Sequence, residues 1–228
     1  MSEQESPQST WQRFWQVLQE APPVPTQAGV APPSPALDDE FDFLAEPTTV
    51  ALPRPNLQPM ALDPARLALL APFASALPAL ADALLRAREV VMDDVTLDRF
   101  DGAGALWLCR VLVQSPTTSL PEHGPLVRLL QRAARSPDAE LVTAAAEAIA
   151  HLDARAAQLD LVARLHADPQ SLGHAGIDRV LATLKQIADG RCVREMEALL
   201  VARGNELSDV HAWQARHIVQ VIRRSGRK

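Results

Sequence analysis

The segment around Leu129 to Leu152 recurs 32 residues later, around Leu161 to Leu184, with its apolar positions in register. Leu129, Leu130, Ala133, Pro137, Ala145, Ala148, Ile149 and Leu152 reappear as Leu161, Val162, Leu165, Pro169, Ile177, Val180, Leu181 and Leu184. Self-similarity at a fixed period of this length marks stacked supersecondary units, each leaving an apolar face that only its neighbour covers. The expected fold is therefore all-α, a helical solenoid. Stacked helical units offer a binding surface whose ligand is not written in the repeat, so the echo constrains the fold more than the function.

Helix signals place the rest of the chain around this echo. Asp63-Pro64 pairs an N-cap residue with proline at the first helical position, which sets the start of the folded body near residue 61. A helical tract then runs to about Met92, kinked near Pro72 and Pro78, and Asp101 caps a second apolar helix over 102–114. From Pro125 the pattern is helix, short turn, helix, over about 125–135, 139–153, 156–167, 174–189, 191–203 and 208–224. Nothing reads as a strand.

The amino-terminal 60 residues differ in kind. Residues 21–60 hold ten of the chain's 19 prolines. Proline removes backbone donors and restricts the residue before it, so this stretch predicts a disordered, acidic, Pro-rich linker. The first 60 residues carry a net charge of −6, which is the formal charge of the whole chain, so the body is neutral on balance. Before the linker, Trp11, Phe14, Trp15 and Leu18 fall at i, i+3, i+4 and i+7, which predicts a short amphipathic docking helix within residues 1–20. The expected organisation is thus a docking helix (1–20), a linker (21–60) and a helical repeat domain (61–228).

Compartment follows from what the chain uses. Cys109 and Cys192 lie in apolar helical context without metal or redox spacing, which predicts buried free thiols in a reducing compartment. Met1 to Thr10 is polar and acidic, unlike a signal peptide, so a cytoplasmic location is expected. Leu67 to Leu85 is long enough for a membrane span, but Pro72, Pro78, Asp82 and its alanine content favour a helix buried on all sides.

The segment Leu126 to Leu152, LVRLLQRAARSPDAELVTAAAEAIAHL, resembles a HEAT-type repeat. Ser136-Pro137-Asp138 supplies the tight turn of that pattern and Ala144 to Ala150 its small-residue second helix, while Thr143 and Ala175 stand where a basic residue is usual. A weaker third unit follows at an offset of 38, with Leu199, Leu200, Ile218, Val219 and Ile222 in register, so the resemblance covers about residues 125–224. It implies Ala-rich second helices packed as an inner layer, and a scaffold or adaptor that binds protein along a curved face.

Catalytic and ligand signatures are absent from the sequence. There is no Gly-rich phosphate loop, GxSxG or HExxH. His211 with His217, and His166 with His174, lack the i, i+4 spacing of a metal pair, and the acids at Asp93, Asp94, Asp98 and Asp101 read as caps and loop residues. The basic carboxyl end (Arg216, Arg223, Arg224, Arg227, Lys228) complements a helix dipole rather than lining a nucleic-acid groove. No metal, cofactor or nucleic acid is expected. The candidate protein-binding residues are Trp11, Phe14, Trp15 and Leu18, which could instead dock onto the protein's own body, together with the acid-flanked Phe41, Phe43 and Leu44. The function expected is a non-catalytic adaptor or assembly factor for protein partners. The alternatives are a helical-repeat enzyme acting on nucleic acid or a chromophore, with Trp107 or Trp213 beside an acid, and a membrane-associated subunit anchored through 67–85.

Overall fold

The computed structural model describes residues 7–19, 60–86, 100–116 and 124–226, and among the described residues every regular element is helical. Helix α1 spans Pro7–Gln19. Asp63 caps α2 (Pro64–Leu70), its carboxylate accepting from the Ala65 N–H at 2.9 Å. Pro72 and Pro78 then turn the chain into a 3₁₀ segment, Ala71–Ala76, before α3 (Leu77–Arg86). Asp101 caps α4 (Gly102–Val113) by accepting from the Gly104 N–H at 2.7 Å.

Three helix pairs follow: α5 (Pro125–Ala134) with α6 (Ala139–His151), α7 (Gln158–Ala167) with α8 (Gly173–Ile187), and α9 (Val193–Arg203) with α10 (Asp209–Ser225). Connections this short make the two helices of each pair antiparallel neighbours. Helix α6 ends in a left-handed residue, Asp153 (φ 48°), and the Ala154 N–H returns to the Ile149 carbonyl at 2.9 Å.

The Ala-rich α6 lies between α4 and α8, and α8 continues the row to α10, while α5, α7 and α9 form a second row behind it. Ala145, Ala146 and Ala148 are fully buried, and such small side chains let α4 and α8 approach closely. The Thr183 hydroxyl donates to the Ala146 carbonyl across the α6–α8 contact, 3.1 Å, satisfying its polar atom inside the core. The echoed apolar positions are buried except Pro137, which lies exposed in the α5–α6 turn.

Polar joints fix one pair to the next. The buried guanidinium of Arg164 on α7 donates to the Ser136 and Pro137 carbonyls of the α5–α6 turn (2.6 and 3.1 Å) and to the Asp168 carbonyl of its own turn (2.7 Å). Arg203 on α9 donates in the same sense to the His166 and Ala167 carbonyls at the end of α7 (3.1 and 3.3 Å). Buried Gln158 and Asp189 exchange two hydrogen bonds, 2.7 and 3.0 Å. Asp160 is bonded by Arg135 at 2.5 Å, yet burial pushes its carboxyl above the ordinary range against that attraction.

Helix α1 packs in the same compact unit as the described helices from α2 onward. One expectation changes. The Pro64–Ala83 run, long and apolar enough by composition to cross a membrane, is not buried on all sides, since only 28% of its apolar window is covered. The 3₁₀ turn breaks the helical stripe, so Leu70, Phe73 and Leu80 face inward while Ala68, Leu69, Ala71 and Ala74 face outward. The linker expected over 21–60 lies, apart from Met60, outside the described residues.

Candidate functional site

The helical spacing of α1 sends its four anchors inward onto α2, α3 and α4. Trp11, Phe14 and Leu18 are buried and Trp15 is half-buried. Phe14 meets Phe73 edge-on at 5.3 Å, and Trp15 meets Phe100 at 5.5 Å. Of the two roles the sequence left open for this helix, the structure shows docking onto its own body. Phe41, Phe43 and Leu44 lie outside the described residues.

A different aromatic reaches the surface. Between α8 and α10 lies a groove of about 250 Å³. Asp178, Leu181, Ala182 and Lys185 come from α8 at i, i+3, i+4 and i+7; Trp213, Gln214, His217 and Ile218 come from α10 at i, i+1, i+4 and i+5. Leu181 and Ile218 are buried and form the apolar floor, while Trp213 is 61% exposed. Its indole stacks on His217, with centroids 5.3 Å apart and planes 7° from parallel, which fixes the ring in place.

The groove's polar end is anchored from below. Ser208 caps α10, its hydroxyl accepting from the His211 N–H at 3.2 Å. That places the His211 ring, 3% exposed, with Nε2 3.1 Å from the Asp178 carboxylate and the ring of His174 5.4 Å away. The histidine neighbours are therefore His174 with His211, rather than His166 with His174 or His211 with His217. Among the described residues no group of three or more His, Cys, Asp or Glu could hold a metal ion.

Asp178 and Trp213 meet in one groove, the combination on which a catalytic reading would build. Trp107 does not join them, being buried in α4 beneath the Arg110 guanidinium at 5.3 Å. Asp101 is the α4 cap, as its position among the cap and loop acids predicted, and Asp93, Asp94 and Asp98 lie outside the described residues. Neither thiol is poised for chemistry: both are buried, and burial pushes Cys109 up to about 12 and Cys192 up to about 11. At the basic end, Arg223 pairs with Glu197 at 2.6 Å, and Arg227 and Lys228 lie outside the described residues.

Reading the sequence for docking elements missed the α8–α10 groove. Its signal was present, since Trp213 and His217 fall at i and i+4, but Trp213 entered only the catalytic alternative, beside an acid. No family model, curated protein or solved structure matches the chain.

Proposed function

We propose that the protein is a cytoplasmic, non-catalytic scaffold built as a HEAT-like stack of helix pairs, and that it binds a protein partner on the α8–α10 face. The observation that carries this reading is Trp213, a large aromatic held at the surface by the His217 stack beside an apolar floor. Monomer surfaces rarely leave indoles out, whereas Trp is among the residues that dominate protein interfaces. Its ring is already ordered, so a partner covering it loses little further rotamer freedom. The repeat reading is supported by the two-row packing and by Arg164 and Arg203, which tie each pair to the one before. Reduced, buried cysteines agree with the cytoplasmic placement.

Magnitude favours a scaffold over an enzyme. About 250 Å³ in a groove open to solvent is below the ~300–1,000 Å³ of ligand-enclosing pockets and suits one or two partner side chains. A second reading, membrane-surface association through Pro64–Ala83, is favoured by Leu69 at 59% exposure and opposed by the exposed Asp82 within that run. Affinity purification with wild-type and Trp213→Ala chains tests the proposal. A protein recovered stoichiometrically with the first and lost with the second supports it; equal recovery by both, or recovery only with vesicles, counts against it.

A further inference from the structure

The α8–α10 groove carries charge at both ends, with opposite signs. Asp178 and Lys185 stand seven residues apart on one face of α8, which is two helical turns or about 10.5 Å. Side chains pair along a helix at three and four residues, so this acid and this base do not neutralise each other. The carboxylate is positioned without being covered: the buried His211 ring holds it, with Nε2 3.1 Å from Oδ1, and the Asp178 side chain remains 56% exposed. Lys185, in the last turn of α8, is exposed and has no ion-pair partner among the described residues. The other exposed base nearby is already matched, since Arg179 pairs with Glu147 of α6 at 3.2 Å. Between the two charges lie the Leu181 and Ile218 floor and the Trp213 indole.

An apolar floor with a fixed acid at one end and a base at the other defines its complement. We infer that the occupant of this groove is a peptide segment of the partner in which a large apolar residue stands between a basic and an acidic one. The apolar side chain covers Trp213 and the floor, the base meets Asp178, and the acid meets Lys185. In an extended chain alternate side chains share a face at intervals of about 6.7 Å, so base, anchor and acid at every second position reach both charges. Opposite charges at the two ends also set which way round the segment lies, because reversing it brings like charges together. Asp178 puts a negative charge where a phosphate backbone would run, so the strand is a peptide and not a nucleic acid. The inference rests on the α8–α10 face being the binding surface, and adds the chemistry of what it binds.

The test pans phage-displayed random peptides on the immobilised full-length chain and on its Lys185→Glu, Asp178→Asn and Trp213→Ala variants. Wild type should enrich sequences with a large apolar residue, a base two positions to one side and an acid two positions to the other. Lys185→Glu should select a second base in place of the acid, and a fluorescein-labelled peptide of the wild-type consensus should bind it about tenfold more weakly by fluorescence anisotropy. Asp178→Asn, which keeps an acceptor for His211, should lose the selection for the base and retain that for the acid. Trp213→Ala should enrich nothing. Enrichment that depends on Trp213 but shows no charge preference, or one unmoved by Lys185→Glu and Asp178→Asn, overturns this inference and leaves the binding face standing. Equal enrichment on Trp213→Ala and wild type, or none on wild type, overturns both.

Discussion

Ile149 and Leu181 occupy the same place in the 32-residue echo, and the structure predicts that truncating them is not equally costly. Ile149 on α6 is fully buried, in the helix that touches α4, α5 and α8. Ile149→Ala removes three carbons, about 2.4 kcal/mol of transfer at ~0.8 kcal/mol per methylene. A residual cavity of some 70 Å³ adds about 1.7 kcal/mol at ~24 cal/mol per Å³, for a total near 4 kcal/mol. Leu181 on α8 is also buried, but it floors the α8–α10 groove, so a void there opens toward solvent and most of the cavity term drops out. Leu181→Ala should cost about 2–2.5 kcal/mol. In urea, with a slope of about 2 kcal/mol per molar, the midpoint falls by roughly 2 M and 1 M respectively. A loss below about half a kcal/mol at either site, or a larger loss at Leu181 than at Ile149, would refute the placement of these faces.

Cys109 and Cys192, buried and with thiol pKa values pushed up to about 12 and 11, should not react with a disulfide dye in the native protein; prompt native labelling would mean that α4 or the start of α9 is open. Burial raises the pKa of Asp189, but hydrogen bonds from Arg191 and Gln158 together outweigh this and hold the carboxyl below its ordinary range. A depressed carboxyl contributes stability above its unfolded pKa, near 4, and loses it as pH falls through the folded value. Asp189→Asn should therefore reduce urea stability at pH 7 and make little difference at the acid end; a constant gap between the two proteins at all pH values would contradict this.

Much of the fold was legible because local rules and packing agreed. Asp63 and Asp101 cap the helices whose starts their positions announced, and the echoed apolar residues within the helices are buried as their period required. The 67–85 run misled because composition reports how apolar a segment is, and not how many neighbours it has; alanines carry its uncovered side. The aromatic face of α1 showed that something would cover it, but an amphipathic stripe does not distinguish a cis neighbour from a partner. The α8–α10 groove was least legible, because it combines two helices about 30 residues apart in the chain and depends on one stacked ring pair.

Affinity for the purified partner, measured with wild-type, Trp213→Phe and Trp213→Ala chains, tests the proposed scaffold function most directly. About 150 Å² of indole covered on binding corresponds to roughly 3–4 kcal/mol, an upper estimate, so the alanine variant should bind at least tenfold more weakly. Phenylalanine, which keeps a ring on His217, should recover part of that loss. Unchanged affinity for all three chains, with folding intact, would contradict a partner seated on Trp213.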